Sequence, residues 1–332
     1  MANVYLPSRS RCARVAALLG ASAMLFAIGA CGAPKSGGPP AHQVKAVRSA
    51  VSRPVPTSAA PMHVAQAGRS EITLPRIGTR QWFPASRLVA FYGTPGTASL
   101  GVLGATGPEQ AASRLEKVAS AYRTPGRTVV PTFELIATVA DRTPGPDGSY
   151  SHAISTARVW RYLDVAREHH MAMIIDVQPG RNQFLPQVEH WAALLSQPDV
   201  GLALDSEWRM HGDQVPGRVI GHTDATEINA VTDWLSQLVR RDHLPQKIVL
   251  LHQFKASMII DPQAVVAHPE LALVQHLDGF GSRAAKLAIY ASLRRPTQFH
   301  MGFKLFYRQD VAMLPPAKVL SISPTPDYVS YQ

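Results

Sequence analysis

The stretch MAMIIDVQPGRNQFLPQVEHWAALLSQPDVGLALDSEW (171–208) contains two short apolar runs separated by a segment of helical period. The runs MAMIIDVQ (171–178) and VGLALDSEW (200–208) have the length and apolar character of buried strands. Between them, QFLPQVEHWAALLSQ (183–197) repeats its apolar residues as an amphipathic helix does. A strand, a helix and a second strand in this order predict one unit of a parallel sheet covered by helices.

The same alternation extends from about residue 86 to residue 332. The other six strand candidates are RLVAFYG (87–93), TVVPTFELIATVAD (128–141), KIVLLHQF (247–254), LALVQHLDGF (271–280), HMGFKLFY (300–307) and DYVSYQ (327–332), the last in competition with SISP (321–324). The other helix candidates are 108–123, 154–170, 224–241, 282–295 and 315–322. Asp224 and Glu227 have the spacing of a capping box at the start of one of them.

Eight strands over about 250 residues predict an α/β fold with a single closed (β/α)8 TIM barrel. An open doubly wound sheet is the alternative. The turn after the first strand, FYGTPGTASLGVLG (91–104), is rich in glycine but lacks the GxGxxG pattern of a dinucleotide-binding sheet. We therefore favour the barrel.

The first 30 residues have the pattern of a lipoprotein signal peptide. Three arginines precede an apolar run at 15–30, which is shorter than the roughly 20 residues that a membrane-spanning helix needs. The run ends in IGAC (28–31), which resembles the bacterial lipobox and implies cleavage before Cys31 and diacylglycerol on its sulfur. We expect an exported protein anchored to lipid on the outer face of the cell membrane. An ordinary secretory peptide with an incidental cysteine is the alternative.

Composition divides the chain into three parts. Residues 1–30 are the predicted signal peptide, and residues 31–80 are a tether rich in Gly, Pro, Ser and Ala that cannot bury enough apolar surface to fold. Residues 81–332 are the predicted barrel domain. The two cysteines, Cys12 and Cys31, would be removed and acylated, which excludes disulfides, thiol catalysis and cysteine metal sites.

The chain is basic, with 33 Lys and Arg against 23 Asp and Glu and a net charge of +10. The basic residues are scattered in runs of no more than two and form no basic-aromatic motif, so we expect no nucleic acid partner. Anionic lipid or an anionic wall polymer fits an outer-face protein better, and solubility alone is the alternative. We expect a monomer without a cofactor and without a bound metal.

Polar side chains follow the predicted strands at their carboxyl ends, where a barrel of this kind has its active site. Asp205 and Glu207 end the strand VGLALDSEW and share a face, because side chains two apart in a strand point the same way. With Asp176, they are the predicted catalytic residues. The predicted substrate-binding residues are Tyr92, Glu134, Gln178, His252, Gln275, Asp278, Lys304 and Tyr307.

Each of these residues also has a structural interpretation. Asp176 would then cap the helix after its strand, and the histidines would be packing residues of the core. Asp205 and Glu207 would form an internal salt bridge with Arg209 or Lys304.

The D-x-E ending of the fourth strand resembles the strand-four acids of chitinase-like glycoside hydrolases and of GH25-type lysozymes. The resemblance implies that Glu207 is the general acid and that Asp205 orients the substrate or shares a proton with it. The chain departs from the full D-x-x-D-x-D-x-E pattern, since PDVGLALDSE (198–207) keeps only three of its acids, and the seventh strand carries Lys304 and no glutamate. As a whole the chain is similar to uncharacterised actinobacterial lipoproteins.

Three functions fit these patterns. We favour a lipid-anchored glycoside hydrolase acting on a cell-wall or other envelope polysaccharide, because two acids on one face separate their pKa values as glycoside hydrolysis requires. A catalytically silent barrel that binds envelope components is the second. A metal-dependent hydrolase is the third, although neither HxH nor HExxH occurs; its ligands would come from Asp176, Asp205, Glu207, His252, His276 and Asp278.

Overall fold

The eight expected strands are present, and they close into a barrel. The computed structural model describes residues 72–332, so the signal peptide, Cys31 and most of the tether lie outside the described residues. The strands are β1 (Ser86–Gly93), β2 (Thr128–Ala140), β3 (Ala172–Val177), β4 (Val200–Leu204), β5 (Lys247–Gln253), β6 (Leu271–Leu277), β7 (His300–Leu305) and β8 (Tyr328–Tyr331).

Each strand pairs in parallel with its neighbours in chain order, and β1 pairs with both β2 and β8. The closing register sets Leu88 opposite Tyr328 and Tyr92 opposite Glu134. The predicted (β/α)8 barrel is therefore confirmed, and the open sheet is not what forms. DYVSYQ rather than SISP supplies the last strand.

The helices that cover the barrel are α1 (Pro108–Ser120), α2 (Thr156–Glu168), α3 (Phe184–His190), α4 (Ala192–Leu195), α5 (Ala225–Arg241), α6 (Arg283–Leu293) and α7 (Pro316–Leu320). The single helix expected at 183–197 is two, because Trp191 leaves helical geometry with φ −96° and ψ 13°. Asp224 caps α5 as predicted by accepting a 2.8 Å hydrogen bond from the Glu227 backbone N–H. Within residues 72–332 no helix is both long enough and apolar enough to cross a membrane.

Alternate side chains of the strands pack into two separate cores, as a period of two requires. Leu202 and Leu204 of β4 face the helices, whereas Ala203 faces the barrel interior. The interior is filled by small and aliphatic side chains: Leu88, Ala90, Val130, Ala172, Ile174, Ile248, Leu250, Ala272 and Val274.

Residues 72–80 belong to the folded domain, although their composition placed them in the tether. Leu74 is 2% exposed and packs with Trp82 in the interior core. Arg76 donates to the His170 carbonyl oxygen at 2.8 Å, and Arg80 donates to the Leu244 carbonyl oxygen at 2.7 Å. The domain therefore begins before residue 81.

Toward the carboxyl ends of the strands the interior changes from apolar to titratable. The inward-facing side chains there include Glu134 on β2, Asp176 on β3 and His252 on β5. His276 on β6 fits beside β7 because its neighbour there is Gly302, where a Cβ would lie 2.5 Å from the imidazole Nδ1. The fold thus gathers charged groups at the end where barrels carry their active sites.

Candidate active site

His252 lies at the centre of a buried cluster of titratable side chains. Its Nε2 is 2.8 Å from Oε1 of Glu134, and its Nδ1 is 2.8 Å from Oδ2 of Asp278. Because both ring nitrogens face carboxylates, the ring is a doubly protonated imidazolium. Burial opposes that charge, but the carboxylates of Asp205, Asp278 and Glu134 outweigh it and raise the pKa of His252. His252 is therefore a fixed positive charge.

Glu134 and Asp278 stay ionised because of this imidazolium. Burial favours the neutral form of both carboxyls, but the hydrogen bond and charge of His252 hold the pKa of Glu134 at about 2 and lower that of Asp278. The Tyr328 hydroxyl donates to Oε2 of Glu134 at 2.8 Å. A continuous chain of hydrogen bonds therefore joins Tyr328, deep in the barrel, to Asp278 at the surface of the cavity described below.

Asp176 lies below this chain and away from solvent. It is completely buried, and neither of its oxygens has a hydrogen-bond partner among the described residues. Its Oδ2 is 3.5 Å from Nε2 of His252. Burial and the neighbouring Asp205 raise the pKa of Asp176 well above its ordinary value. Asp176 therefore does not cap the helix after its strand, and it does not reach the cavity.

Asp205 follows β4 and is held from two directions. Its Oδ2 accepts hydrogen bonds from the Tyr92 hydroxyl and from Nε2 of Gln178, each at 3.3 Å. Gln178 also donates to the Tyr92 hydroxyl at 3.1 Å. Burial raises the pKa of Asp205. Asp205, Tyr92 and Gln178, each a predicted site residue, are therefore joined by hydrogen bonds.

A cavity of about 390 Å³ opens above the cluster at the carboxyl ends of the strands. Its walls are mainly aromatic and aliphatic: Tyr92, Ile220, Trp208, Phe254, Phe280 and Phe306. Gln178, Glu207, Asp278 and Lys304 supply polar groups. An apolar concavity with a few convergent polar groups is what a small-molecule or sugar site requires.

Glu207 enters this cavity from a turn, not from a strand as expected. β4 ends at Leu204, and Ser206–Trp208 form a 3₁₀ turn, so the strand alternation stops before Glu207. Glu207 nonetheless lines the cavity with Trp208. Burial and the charges of Asp205 and Asp278 raise the pKa of Glu207 to about 8. Its carboxyl is therefore protonated at neutral pH.

Arg209 does not neutralise these acids, which removes one structural interpretation of the D-x-E pair. Its guanidinium pairs with Glu227 at the start of α5, with Nε 2.9 Å from Oε1. A backbone hydrogen bond closes the loop between Glu207 and Gly221: the Gly221 N–H donates to the Glu207 carbonyl oxygen at 2.7 Å. This anchoring fixes where the Glu207 side chain enters the cavity.

Lys304 reaches the cavity from β7. Its Nζ lies 3.4 Å from the centre of the Tyr92 ring and 4.0 Å from Oδ2 of Asp278. Lys304 thus places a second positive charge beside Asp278, and it holds that charge over an aromatic face.

Four of the eight expected binding residues do not line this cavity: Glu134 and His252 are fully buried in the cluster beneath it, and Gln275 and Tyr307 lie elsewhere. Gln275 points out of the barrel, where its amide donates to the Leu293 carbonyl oxygen and accepts from the Arg295 N–H, both at 2.9 Å. Its outward direction follows from the alternation of side chains along a strand, since its neighbours in β6 face inward. Tyr307 lines a separate groove beside the cavity.

Four aromatic walls of the cavity, Trp208, Phe254, Phe280 and Phe306, were not among the expected site residues. Phe254 and Phe306 each follow directly after a barrel strand, and Phe280 comes soon after β6 and is 63% exposed. An aromatic residue at the end of a predicted strand is the sequence signal that could have found Phe254 and Phe306.

In the described part of the chain, residues 72–332, two sets of three side chains lie close enough together to share a cation. They are Glu134, His252 and His276, and Asp176, Asp205 and His252, with ligand atoms within 4.8 Å of one another in each set. Both sets use His252, whose ring nitrogens already contact carboxylates. A cation bound there would have to replace a proton of the imidazolium and its hydrogen bonds.

No protein-family model matches the chain, and no curated protein sequence matches it. Among solved structures it is similar to a trimodular endoglucanase of the GH5_4 subfamily, with 9% identity, a TM-score of 0.43 and coverage of 78% of this chain and 57% of that one. It therefore spans little more than half the length of that enzyme.

A hyperthermophilic endo-β-1,4-glucanase solved with its substrate is also similar, with 8% identity, a TM-score of 0.32 and coverage of 61% and 76%. A dihydrodipicolinate synthase from Bacillus clausii is similar as well, with 8% identity, a TM-score of 0.33 and coverage of 74% of this chain and 68% of that one. None of these likenesses is close enough to assign a substrate or a residue role.

Proposed function

We propose that the cavity hydrolyses a glycosidic bond, with Glu207 as the general acid and Asp278 as the ionised partner. The observation that supports this is that both carboxyl groups line one aromatic-walled cavity while their surroundings favour opposite protonation states. Glycoside hydrolysis requires such a pair, one carboxyl to protonate the leaving oxygen and one carboxylate to act on the opposite side of the sugar ring.

The roles follow from what each side chain touches. Glu207 carries a proton and lies on a turn beside Trp208, whose ring can stack on a sugar. The positive charges of His252 and Lys304 stabilise the ionised form of Asp278. In that form Asp278 either activates a water molecule or attacks the anomeric carbon. The resemblance to other hydrolases implied Asp205 as the partner of Glu207. Asp205 lies beneath the cavity, and its charge acts on the pKa of Glu207.

Hydrolysis of labelled oligosaccharides tests the proposal. The panel contains β-glucan fragments and N-acetylated wall fragments, and it is incubated with the wild type, Glu207→Gln and Asp278→Asn. Positioned acid and base groups typically contribute about 10²–10⁴-fold, so each variant should lose activity on that scale. Glu189→Gln, an exposed change on α3, is the control and should retain activity. Full activity in Glu207→Gln, or no hydrolysis by the wild type, would leave a binding barrel as the better account.

The envelope location is part of the same proposal, and it rests on the lipobox at 28–31. Cys31→Ala should leave an uncleaved precursor or release the protein from the membrane fraction. Detergent phase partitioning of cell extracts measures this. A variant that is still cleaved and still partitions with lipid would contradict the anchor without affecting the proposed chemistry.

A further inference from the structure

We propose that a groove beside the cavity binds an anionic substituent, a carboxylate or a phosphate, of the saccharide chain whose bond is cut. The inference rests on the proposed function and names the class of its substrate. The groove measures about 220 Å³ and is lined by Ser99, Arg114, Tyr307, Arg308, Gln309 and Gln332 among others.

The groove and the cavity are parts of one surface. Gln309 and Gln332 line both of them, and the loop after β1 separates them, with Leu100 facing the cavity and Ser99 facing the groove. A polymer held across Glu207 and Asp278 therefore continues into the groove with its next unit.

The groove carries positive charge that no acidic side chain of residues 72–332 pairs with. Its lining includes two guanidinium groups and no Asp or Glu side chain. Arg308 is exposed and has no hydrogen bond or ion pair within residues 72–332. Arg114 also has no hydrogen bond or ion pair there, and its guanidinium carbon lies 5.6 Å from the centre of the Phe91 ring. The side chain of the neighbouring Asp310 is buried and paired with Lys286, with Nζ 2.8 Å from Oδ2. Guanidinium groups placed in this way are suited to carboxylate or phosphate oxygens.

The same groove has an aromatic face for a sugar ring. Tyr307 is 43% exposed and stacks on Tyr331, with ring centres 5.4 Å apart. Tyr331 is fixed in turn by a 2.6 Å hydrogen bond between its hydroxyl and that of Tyr122. An aromatic platform in the same groove as two guanidinium groups fits an acidic sugar unit better than a free anion. The excess of Lys and Arg over Asp and Glu, which remains when residues 1–30 are removed, favours approach of an anionic polymer.

Binding to matched pairs of oligosaccharides tests the inference. The full-length chain carrying Glu207→Gln, which should not cut the ligands, is titrated calorimetrically with an oligogalacturonate trimer and its methyl ester. A glucose trimer with and without a terminal phosphate forms the second pair. We expect the charged member of at least one pair to bind at least tenfold more tightly at low salt, with the preference reduced at high salt. The pair that shows the preference identifies carboxylate or phosphate.

Arginine variants locate the binding site. Arg114→Gln and Arg308→Gln should each weaken the charged ligand about threefold to tenfold and leave the neutral ligand unchanged. Arg123→Gln is the control, because it removes the same charge from an exposed position beyond the end of α1. Equal binding within both pairs, no binding of any charged probe, or equal losses in the control would overturn the inference. None of these outcomes changes the hydrolysis assay on Glu207 and Asp278, so the two proposals fail separately.

Discussion

Glu207 and Asp278 line one cavity, yet the pKa values of their carboxyl groups move in opposite directions. Glu207 lies among apolar walls and near other acids, so burial and repulsion favour its protonated form. Asp278 is also buried, but the imidazolium of His252 contacts it directly and outweighs the desolvation. Because their partners differ, Glu207 is a protonated acid and Asp278 is an ionised base at the same pH.

The raised pKa of Glu207 predicts a pH-dependent stability. The folded carboxyl has a pKa of about 8 against 4.5 for the ordinary group. Between these values the folded state holds a proton that the unfolded state has released, so stability falls as the pH rises. We expect the melting temperature of the wild type to fall across this range, and that of Glu207→Gln to fall less. Scanning calorimetry measures both, with Glu189→Gln as the control; equal slopes in all three proteins would contradict the assignment.

His252 should act on the acidic limb of the pH–rate profile as a positioning residue. His252→Gln removes the positive charge that lowers the pKa of Asp278, so that carboxyl becomes protonated at a higher pH. As the pH is lowered, the variant should therefore lose activity at a higher pH than the wild type does. Rates across the pH range test this, with the exposed His190→Gln on α3 as the control. A uniform loss of rate with an unmoved limb would indicate a merely structural role.

The alternation of eight apolar runs with helical segments was enough to predict the barrel, and the polar residues at the ends of those runs predicted much of its polar end. Glu134, Asp176 and His252 were predicted only as site residues of the strands, and the structure turns all three inward. The alternation of side chains along a strand, applied within β6, would have sent Gln275 outward, where the structure has it.

Other features depended on contacts that no local rule contains. The pairing of Asp278 with His252 joins β5 to the end of β6, and it decides which acid is ionised. Glu207 was placed correctly at the cavity but for the wrong geometric reason, since the chain leaves the strand at Leu204. The start of the domain was missed because Leu74 is a single apolar residue in a polar stretch, and only its packing against Trp82 shows that it is core.

Leu74 should contribute to stability although it precedes the expected domain boundary. Its side chain is 2% exposed in the interior core, and truncation of a buried leucine typically costs about 2–5 kcal/mol. Leu74→Ala should therefore unfold at a lower urea concentration than the wild type with an unchanged m value. Ile72→Ala is the matched control, because Ile72 is 44% exposed. A midpoint equal to that of the control would place residues 72–80 outside the cooperative unit.

Gly221 should control the rate through the position of Glu207. Its N–H donates to the Glu207 carbonyl oxygen at 2.7 Å, and a Cβ at this position would lie 2.7 Å from that same oxygen, closer than real Cβ atoms approach. Gly221→Ala must therefore displace the turn that carries the general acid. Since a displacement of about 1 Å can cost about 10²-fold, we expect kcat to fall between tenfold and 100-fold while the circular dichroism spectrum stays that of the folded barrel. Gly107→Ala is the control, because a Cβ there meets nothing within 4 Å. Wild-type turnover in Gly221→Ala would show that the turn tolerates movement and that the placement of Glu207 does not limit the reaction.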